Sequence, residues 1–465
     1  MALLPGWSRG GGRLHRVSVA VGGECRLVQG GGAGGRGRSM GGGGGRTRRR
    51  GPWRAAGAAA AVAALLAVGA RAGNDYHKKP IPLKDNGGLL EFSVIYSDRA
   101  VNSMSSTFQA VMNDLHRELT GLYRAERAVI IPGSGTYGME AVARQLARGK
   151  KTLVLRNGLF SYRWTDIFTV GSIPAASQVL KAQPGGGDRP QYSPRELAEV
   201  QAEIAREKPA VVFAPHVETS LGLLLPDSYV KGVAEATRAA GGLFVLDGIA
   251  SGLQWVDMEA LGVDVYLTAP QKGWSSPACA GIVLLGPRAN KAVSETTSDS
   301  YSLNLRKWRD VMEAYLGGGF AYHTTMPTDC LQVFRDAVLE TRKYGFKRAR
   351  KDFLALGKAV RDMLERKGFR SVSAPGFQAS GVVVSYTDDA ALVKKVKAQG
   401  VQLAAGVPWM LDEKEGLVTF RVGLFGLDKI KDVEWTVWTL ESALDGALPK
   451  AESAEPEDDD EDVDF

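Results

Sequence analysis

The sequence predicts an α/β fold in which a large, mostly parallel, doubly wound sheet precedes a smaller C-terminal α/β domain. Two apolar runs, Leu243 to Leu246 and Val265 to Leu267, are short and bounded by Gly, Pro and Asp. Strands that are buried on both faces of a parallel sheet have this pattern. The segment between the runs is about long enough for a right-handed crossover between parallel strands. Up to about residue 330, strand-like runs alternate with helical stripes, which is typical of a doubly wound sheet.

The first predicted helix starts near residue 103, with Ser103 or Ser105 as its N-cap. Its apolar positions recur at helical spacing, so one face should pack on the sheet. These positions are Phe108, Val111, Met112, Leu115, Leu119 and Leu122.

A strand over 129–132 then leads into Gly133-Ser-Gly-Thr-Tyr-Gly138 and a helix from Met139 to Arg148. A strand, a Gly-rich turn and a helix N-terminus form an anion site, because free backbone N–H groups and the helix dipole favour phosphate. The same letters match a dinucleotide-binding motif, which needs an acid at the end of the next strand. That strand ends in Arg156 and Asn157. The sequence therefore favours a phosphate site over a dinucleotide site.

The C-terminal part predicts a second, smaller α/β domain. A long helix is expected over 331–367, followed by strands at 381–386, 401–404 and 417–422 and by helices at 390–399 and 430–444. The predicted domain plan comprises a targeting leader over 1–72, a large domain over 73–330, a small domain over 331–447 and an acidic tail over 448–465. Neither the leader nor the tail has the composition to build a core, and both are expected to be disordered.

The net charge of +7 comes largely from the leader, which carries twelve arginines against one acid, Glu24. The last fifteen residues carry nine acids and no base. The small charge on the remaining chain is scattered, so we expect no nucleic-acid partner. The three Cys and five His are also scattered, which predicts no disulfide framework and no metal site.

The leader predicts targeting to an organelle, a mitochondrion or a plastid. An Arg-rich stretch at 48–54 precedes an Ala-dominated run at 55–70 and a small-residue site, Ala70-Arg-Ala72. The run is short and weakly apolar for a bilayer span, so we expect no stable membrane span. The alternative is a mis-predicted start codon, which would leave a cytoplasmic or peroxisomal protein.

Asp247 and Lys272 are the central candidate residues, because each follows one of the two buried strands. Open α/β sheets bind ligands at the carboxyl ends of their strands, so the two side chains should share one crevice. From spacing alone, a plain ion pair explains them equally well.

The sequence segments around these residues resemble the pyridoxal-phosphate site of class V aminotransferases. Asp247-Gly-Ile-Ala-Ser251 and Thr268-Ala-Pro-Gln-Lys-Gly-Trp274 carry the likeness, which is greatest to alanine-glyoxylate and serine-pyruvate aminotransferases. The resemblance spans roughly residues 85 to 447 and implies a fold type I pyridoxal-phosphate transferase. It implies that Lys272 forms a Schiff base with pyridoxal 5′-phosphate and that Asp247 pairs with its ring nitrogen. A carboxylate there keeps the ring nitrogen protonated, so the ring can accept the electrons released when the substrate loses its α-proton.

The resemblance also implies roles for residues elsewhere in the chain. Ser134, Gly135, Thr136 and Gln271 would hold the cofactor phosphate, Phe160 would stack on its ring, and Thr219 would bind its ring oxygen. Relatives often carry Trp at the position of Phe160. Tyr322 and Thr325 would reach the phosphate of the adjacent subunit in a homodimer with shared active sites, and Arg421 would bind the substrate carboxylate. His216 and Glu218, in His216-Val-Glu-Thr-Ser220, are expected to brace their turn.

The resemblance therefore predicts transfer of an amino group from a small amino acid, of the alanine or serine class, to a 2-oxo acid such as glyoxylate or pyruvate. One alternative is a class V lyase such as a cysteine desulfurase, which needs a Cys on a mobile loop. Cys330 precedes a predicted helix and Cys279 lies in an apolar run, so neither suits that role. The other alternative is a non-catalytic binding protein on the same fold, against which the intact Lys272 and Asp247 argue.

Overall fold

The computed structural model describes residues 100–448. The predicted leader (1–72), residues 73–99 and residues 449–465 of the predicted acidic tail lie outside the described residues. Among the described helices, none is long and apolar enough to cross a membrane.

The described chain alternates strands and helices. The strands are β1 (Arg127–Pro132), β2 (Lys151–Arg156), β3 (Ala176–Lys181), β4 (Gln183–Pro184), β5 (Tyr192–Ser193), β6 (Val211–Pro215), β7 (Val217–Glu218), β8 (Leu223–Leu224), β9 (Leu243–Asp247), β10 (Val265–Thr268), β11 (Ala280–Leu285), β12 (Val382–Tyr386), β13 (Ala404–Ala405) and β14 (Thr419–Gly423). The helices are α1 (Ser106–Tyr123), α2 (Gly135–Leu146), α3 (Leu159–Gly171), α4 (Leu197–Glu207), α5 (Asp227–Ala239), α6 (Met258–Leu261), α7 (Pro287–Glu295), α8 (Leu305–Leu316), α9 (Thr328–Tyr344), α10 (Phe346–Arg366), α11 (Leu392–Ala398), α12 (Leu427–Ile430) and α13 (Val433–Ala447).

The main sheet has seven strands in the order β1-β11-β10-β9-β6-β2-β3. β11 is antiparallel to both of its neighbours, and the other pairs are parallel. β6, β10 and β11 are buried along their whole length, and β9 is buried from Phe244 to Asp247, as the continuous apolar runs predicted. The predicted α/β fold with a mostly parallel sheet is therefore confirmed.

This topology brings the carboxyl ends of six strands to one edge of the sheet. β9 and β10 are parallel neighbours, with Leu267 opposite Asp247. β6 lies on the other side of β9, with Pro215 opposite Asp247. Segments that leave these strands therefore start side by side, which is how residues far apart in sequence form one site.

Two hydrophobic clusters fill the structure. The larger one packs the main sheet between helices, and its aromatic side chains include Tyr123, Tyr266 and Trp274. The second cluster joins α10, α13 and β14 of the C-terminal part. There β14 pairs with β12 and β13 in a three-stranded antiparallel sheet.

Two predictions for the C-terminal part were wrong in detail. The predicted helix over 331–367 is two helices, α9 and α10, because Gly345 between them has φ +99. That conformation is strained for residues with a side chain but open to glycine. The predicted strand over 401–404 is reduced to β13, a two-residue pairing with Arg421 and Phe420.

Candidate active site

A cavity of about 230 Å³ opens at the carboxyl edge of the main sheet. Eight of the residues that the sequence singled out line it: Ser134, Gly135, Thr136, Phe160, Thr219, Asp247, Gln271 and Lys272. They come from five places along the chain: the segments that follow β1, β2, β7 and β10, and the last residue of β9. A larger cavity of about 500 Å³ lies in the C-terminal part, and none of the predicted site residues lines it.

The turn between β1 and α2 places the N-terminus of α2 at the cavity. Ser134 is the N-cap of α2, but its side chain makes no capping hydrogen bond. The amides of Tyr137 and Gly138 donate to the Ser134 carbonyl oxygen. The turn also fits closely, since a Cβ atom at Gly135 would lie 2.6 Å from Cδ1 of Ile249. Because Gly135 has no side chain, a ligand can approach the backbone here, and the N-terminus of α2 suits a phosphate group.

Asp247 ends β9 and is only 8% exposed. Its Oδ1 accepts a hydrogen bond of 3.0 Å from the amide of Ile249. Burial raises the pKa of this carboxyl from 3.8 to about 6, although the Ile249 bond opposes the rise. The nearby charge of Glu218 adds to the rise and that of Arg163 reduces it. A buried carboxylate without a cationic partner is costly, so this position favours a ligand that brings a positive charge.

Lys272 lies in the turn that follows β10, and its Nζ is 5.5 Å from the centroid of the Phe425 ring. Burial lowers the pKa of this amine, and the positive charges of Arg421 and Arg163 lower it further. The backbone beside it is tightly packed, because a Cβ atom at Gly273 would lie 2.3 Å from the carbonyl oxygen of Gly252. An amine that loses its proton readily is suited to attack a carbonyl carbon.

Glu218 braces the site from below, as the sequence led us to expect. The side chain is fully buried, and its carboxylate accepts hydrogen bonds from the amides of Phe160, Ser161 and Ser220. It also accepts from the hydroxyls of Ser161 and Ser220, at 2.8 and 2.7 Å. These bonds tie the turn that carries Thr219 to the first turn of α3. Glu218 therefore fixes the positions of Phe160 and Thr219 relative to each other.

His216 belongs to the same support. Its Nδ1 lies 2.7 Å from the hydroxyl oxygen of Ser251, and its amide donates to the Asp247 carbonyl oxygen. Burial, aided by the charge of Arg350, lowers the pKa of His216 to about 4. The ring is therefore neutral at physiological pH and acts as a polar brace.

The cavity residues fit pyridoxal phosphate. Oε1 of Gln271 is buried without a hydrogen-bond partner, and Nε2 of the same side-chain amide would donate to a phosphate oxygen. Gln271 would hold the phosphate together with the α2 N-terminus at Ser134, Gly135 and Thr136. Phe160 provides an apolar face for the ring, and Asp247 provides the carboxylate for a cationic nitrogen. Within residues 100–448, no group of His, Cys, Asp and Glu has the arrangement of a metal site.

Three residues implied by the resemblance lie outside the cavity wall. Arg421 is on β14, where its Nε donates to the Ala405 carbonyl oxygen, and its charge acts on Lys272. The hydroxyl oxygens of Tyr322 and Thr325 lie 3.3 Å apart, and Tyr322 is 66% exposed. The roles of all three remain predictions.

Arg163 lines the cavity and was missed from the sequence. Its Nη1 donates to the Thr136 hydroxyl at 3.0 Å, and its guanidinium carbon is 5.2 Å from the centroid of the Phe160 ring. The signal that could have found it is its spacing, because residues three apart share a helix face and Phe160 opens the same helix.

The family model described as Aminotransferase class-V matches residues 93–407. An L-aspartate–glyoxylate aminotransferase from Paracoccus denitrificans is 30% identical over 215 residues, which cover 45% of this chain and 52% of the relative. A serine–glyoxylate aminotransferase from Methylorubrum extorquens is 26% identical over 373 residues, 78% of this chain and 89% of the relative. The first match thus spans about half the length of that relative.

A crystal structure of an alanine–glyoxylate aminotransferase from Nostoc sp. has the same fold. It superposes with a TM-score of 0.63 at 22% identity and covers 74% of this chain and 89% of that one. The family match covers more than half of the sequence and includes β1, β9 and β10 with the residues that follow them. The chain belongs to the class V aminotransferase family, as its sequence predicted.

Proposed function

We propose that this protein is a pyridoxal-phosphate-dependent aminotransferase that moves an amino group from a small amino acid to a 2-oxo acid such as glyoxylate or pyruvate. One observation carries the proposal: Asp247 and Lys272, at the ends of neighbouring parallel strands, line one cavity. The names of the relatives, which include aspartate–glyoxylate and serine–glyoxylate aminotransferases, support glyoxylate as the acceptor.

When bound, pyridoxal phosphate supplies an electron-withdrawing ring that stabilises the charge left when the substrate loses its α-proton. Lys272 Nζ would hold the cofactor covalently until substrate displaces it. The freed amine of Lys272 would accept the proton from the substrate α-carbon and later donate it. Burial and the charges of Arg421 and Arg163 lower the pKa of Lys272, which favours the neutral amine that this proton transfer needs.

Asp247 would hold a positively charged ring nitrogen at the floor of the cavity. In the absence of such a partner, burial raises the pKa of Asp247 to about 6. A cationic nitrogen beside it would restore the ionised carboxylate, because opposite charges stabilise each other most where water is excluded. The hydrogen bond from Ile249 orients the carboxylate for this contact.

Arg421 would bind the substrate carboxylate. The hydrogen bond from its Nε to Ala405 fixes the guanidinium on β14 and leaves both terminal nitrogens for a ligand. Burial lowers the pKa of Arg421, although the charge of Glu218 opposes this. A guanidinium remains protonated despite such a shift, so the residue provides a permanent positive charge.

The cysteine desulfurase alternative is disfavoured by the two cysteines of the described chain. Cys330 lies in the first turn of α9 rather than on a loop. Cys279 is buried, and burial raises the pKa of its thiol to about 12, with a further contribution from Cys330. A thiol with such a pKa is a poor nucleophile at neutral pH.

An amino-donor panel tests the proposed function. Purified protein with bound cofactor should convert glyoxylate or pyruvate to the corresponding amino acid with alanine, serine or another small donor. Sulfide release from cysteine would instead identify a desulfurase. Protein that stays colourless with pyridoxal phosphate and transfers no amino group would be a binding protein on this fold.

We further propose a homodimer whose active sites are shared through Tyr322 and Thr325. The exposed aromatic side chains Tyr301, Phe320 and Tyr322 support a partner surface, because such residues are enriched in interfaces. Tyr322 and Thr325 also bond each other away from the cavity of their own chain.

Subunit complementation tests the shared site. Lys272→Ala and the double variant Tyr322→Ala/Thr325→Ala should each be inactive. Mixed dimers should regain activity, because one site then combines an intact Lys272 with intact residues from the partner. Subunit exchange proven by mass spectrometry without recovered activity would contradict the proposal.

We also propose delivery to a mitochondrion or plastid, on the strength of the Arg-rich composition of residues 1–72. A fusion of these residues to a fluorescent reporter should accumulate in one of these organelles. Diffuse cytosolic fluorescence would instead support a start codon farther along the chain.

A further inference from the structure

We propose that Arg163 is a positioning residue of the cofactor site, which fixes the Phe160 ring against the anion-binding turn and places a permanent positive charge beside Lys272. The inference deepens the proposed function and rests on it for the identity of the ligand. The contacts that carry it do not depend on the ligand.

Arg163 joins two turns that belong to different strands. Thr136 is in the first turn of α2, which follows β1, whereas Phe160 and Arg163 are in the first five residues of α3, which follows β2. One guanidinium donates to Thr136 at 3.0 Å and lies over the Phe160 ring at 5.2 Å. A planar, rigid donor group makes both contacts at once, which a lysine ammonium does not reproduce.

The position of Arg163 matters because Phe160 has a smaller ring for stacking on the cofactor than the Trp that relatives often carry. The cation–π contact with Arg163 restrains the Phe160 ring, which lines the same cavity. The Thr136 contact restrains the turn that receives a phosphate. Loss of Arg163 should therefore weaken cofactor binding and change the orientation of the bound ring.

Arg163 also acts on the electrostatics of the cavity. The charged groups that act on Lys272 are Arg421 on β14 and Arg163 on α3, and Asp247 at the end of β9 lines the same cavity. Arg163 lies on α3, the helix that also carries Phe160. Its positive charge lowers the pKa of Lys272 and also that of Asp247, so it favours the neutral amine and the ionised carboxylate.

Arg156 provides a matched control. Its guanidinium lies 4.7 Å from the centroid of the Tyr162 ring, and its Nη2 donates to the Thr165 hydroxyl at 2.9 Å. It thus makes the same two kinds of contact as Arg163, although both of its partners lie on α3. Arg156 does not line the cavity, so its removal should affect stability without affecting the cofactor site.

The experiment compares the parent with Arg163→Met, Arg163→Lys and Arg156→Met. In cofactor-free protein, the rate of Lys272 acetylation by acetic anhydride is measured against pH by mass spectrometry. Arg163→Met should raise the midpoint by about one pH unit, since it removes a nearby like charge. Arg163→Lys should keep the parent midpoint, and Arg156→Met should lower Tm without moving the midpoint.

With pyridoxal phosphate bound, Arg163→Met should raise the cofactor Kd about tenfold, through loss of a hydrogen bond and a cation–π contact. Arg163→Lys should keep the Lys272 titration midpoint but change the circular dichroism of the cofactor band, because the Phe160 ring is no longer held by the guanidinium. An unchanged Lys272 midpoint in a folded Arg163→Met would overturn the proposal. An equal shift in Arg156→Met would also overturn it. Failure of the parent to bind pyridoxal phosphate would contradict the proposed function, whereas the acetylation result would still decide the role of Arg163.

Discussion

Asp247→Asn should stabilise the cofactor-free protein at alkaline pH, even though it removes a residue that the proposed reaction requires. Burial raises the pKa of Asp247 from 3.8 to about 6, so the ionised carboxylate is disfavoured in the folded state. Near pH 4 and below, the folded protein keeps the proton and the penalty is absent. As pH rises toward 6 and above, the folded carboxyl must ionise, and stability falls. A shift of this size corresponds to a penalty on the order of 3 kcal/mol.

The asparagine keeps an oxygen acceptor for the Ile249 amide but carries no charge, so it should escape this penalty. We expect urea denaturation of cofactor-free protein to show the variant more stable than the parent by up to about 3 kcal/mol at pH 8, with the difference shrinking toward pH 5.

Asp389→Asn is a control of opposite sign. A hydrogen bond from Lys395 lowers the pKa of this carboxyl, so its stabilising effect is present above the unfolded pKa and lost as pH falls. The asparagine variant should therefore be less stable than the parent at pH 8. If Asp247→Asn were also less stable at pH 8, or if its effect did not change with pH, the reasoning about the buried carboxyl would be refuted.

Three further predictions concern single side chains. Lys272→Ala should bind pyridoxal phosphate without a borohydride-reducible link and lose activity by about a thousandfold or more, which trapping and steady-state rates would measure; near-normal turnover would contradict its role. Arg421→Ala should raise KM for every amino and oxo acid, at a cost of roughly 2–4 kcal/mol in kcat/KM, whereas an effect on one substrate alone would mean that Arg421 contacts a side chain. Glu218→Ala should destabilise the protein by roughly 3–5 kcal/mol in urea denaturation, because five donors lose their buried acceptor; a change below about 0.5 kcal/mol would argue against the brace.

The parts of the fold that the sequence predicted are those whose signal is local. Short apolar runs indicate β9 and β10, and a run of glycines indicates the turn before α2. General rules for parallel sheets then predict that β9 and β10 are neighbours, as observed. The break at Gly345 was not predicted, because an isolated glycine can be tolerated inside a helix or can mark its end.

The supporting contacts of the site were harder to predict. The bonds from Ser161 to Glu218 join residues 57 positions apart, and they exist because β2 and β6 are neighbours in the sheet. Arg163 likewise meets Thr136 only after α2 and α3 have packed. Sequence spacing indicates which side chains leave one strand, whereas the pairing of strands decides which of them meet.

The half-reaction with alanine tests the proposed transamination most directly. Purified protein with bound pyridoxal phosphate is mixed with alanine and no acceptor, and pyruvate is counted against cofactor. We predict one pyruvate per cofactor, after which the reaction stops. When alanine has been removed and glyoxylate is added, one glycine should form per cofactor. Continued release of ammonia over many turnovers, or no 2-oxo acid from alanine, serine or any other small donor, would contradict the assignment of Asp247 and Lys272 to an aminotransferase site.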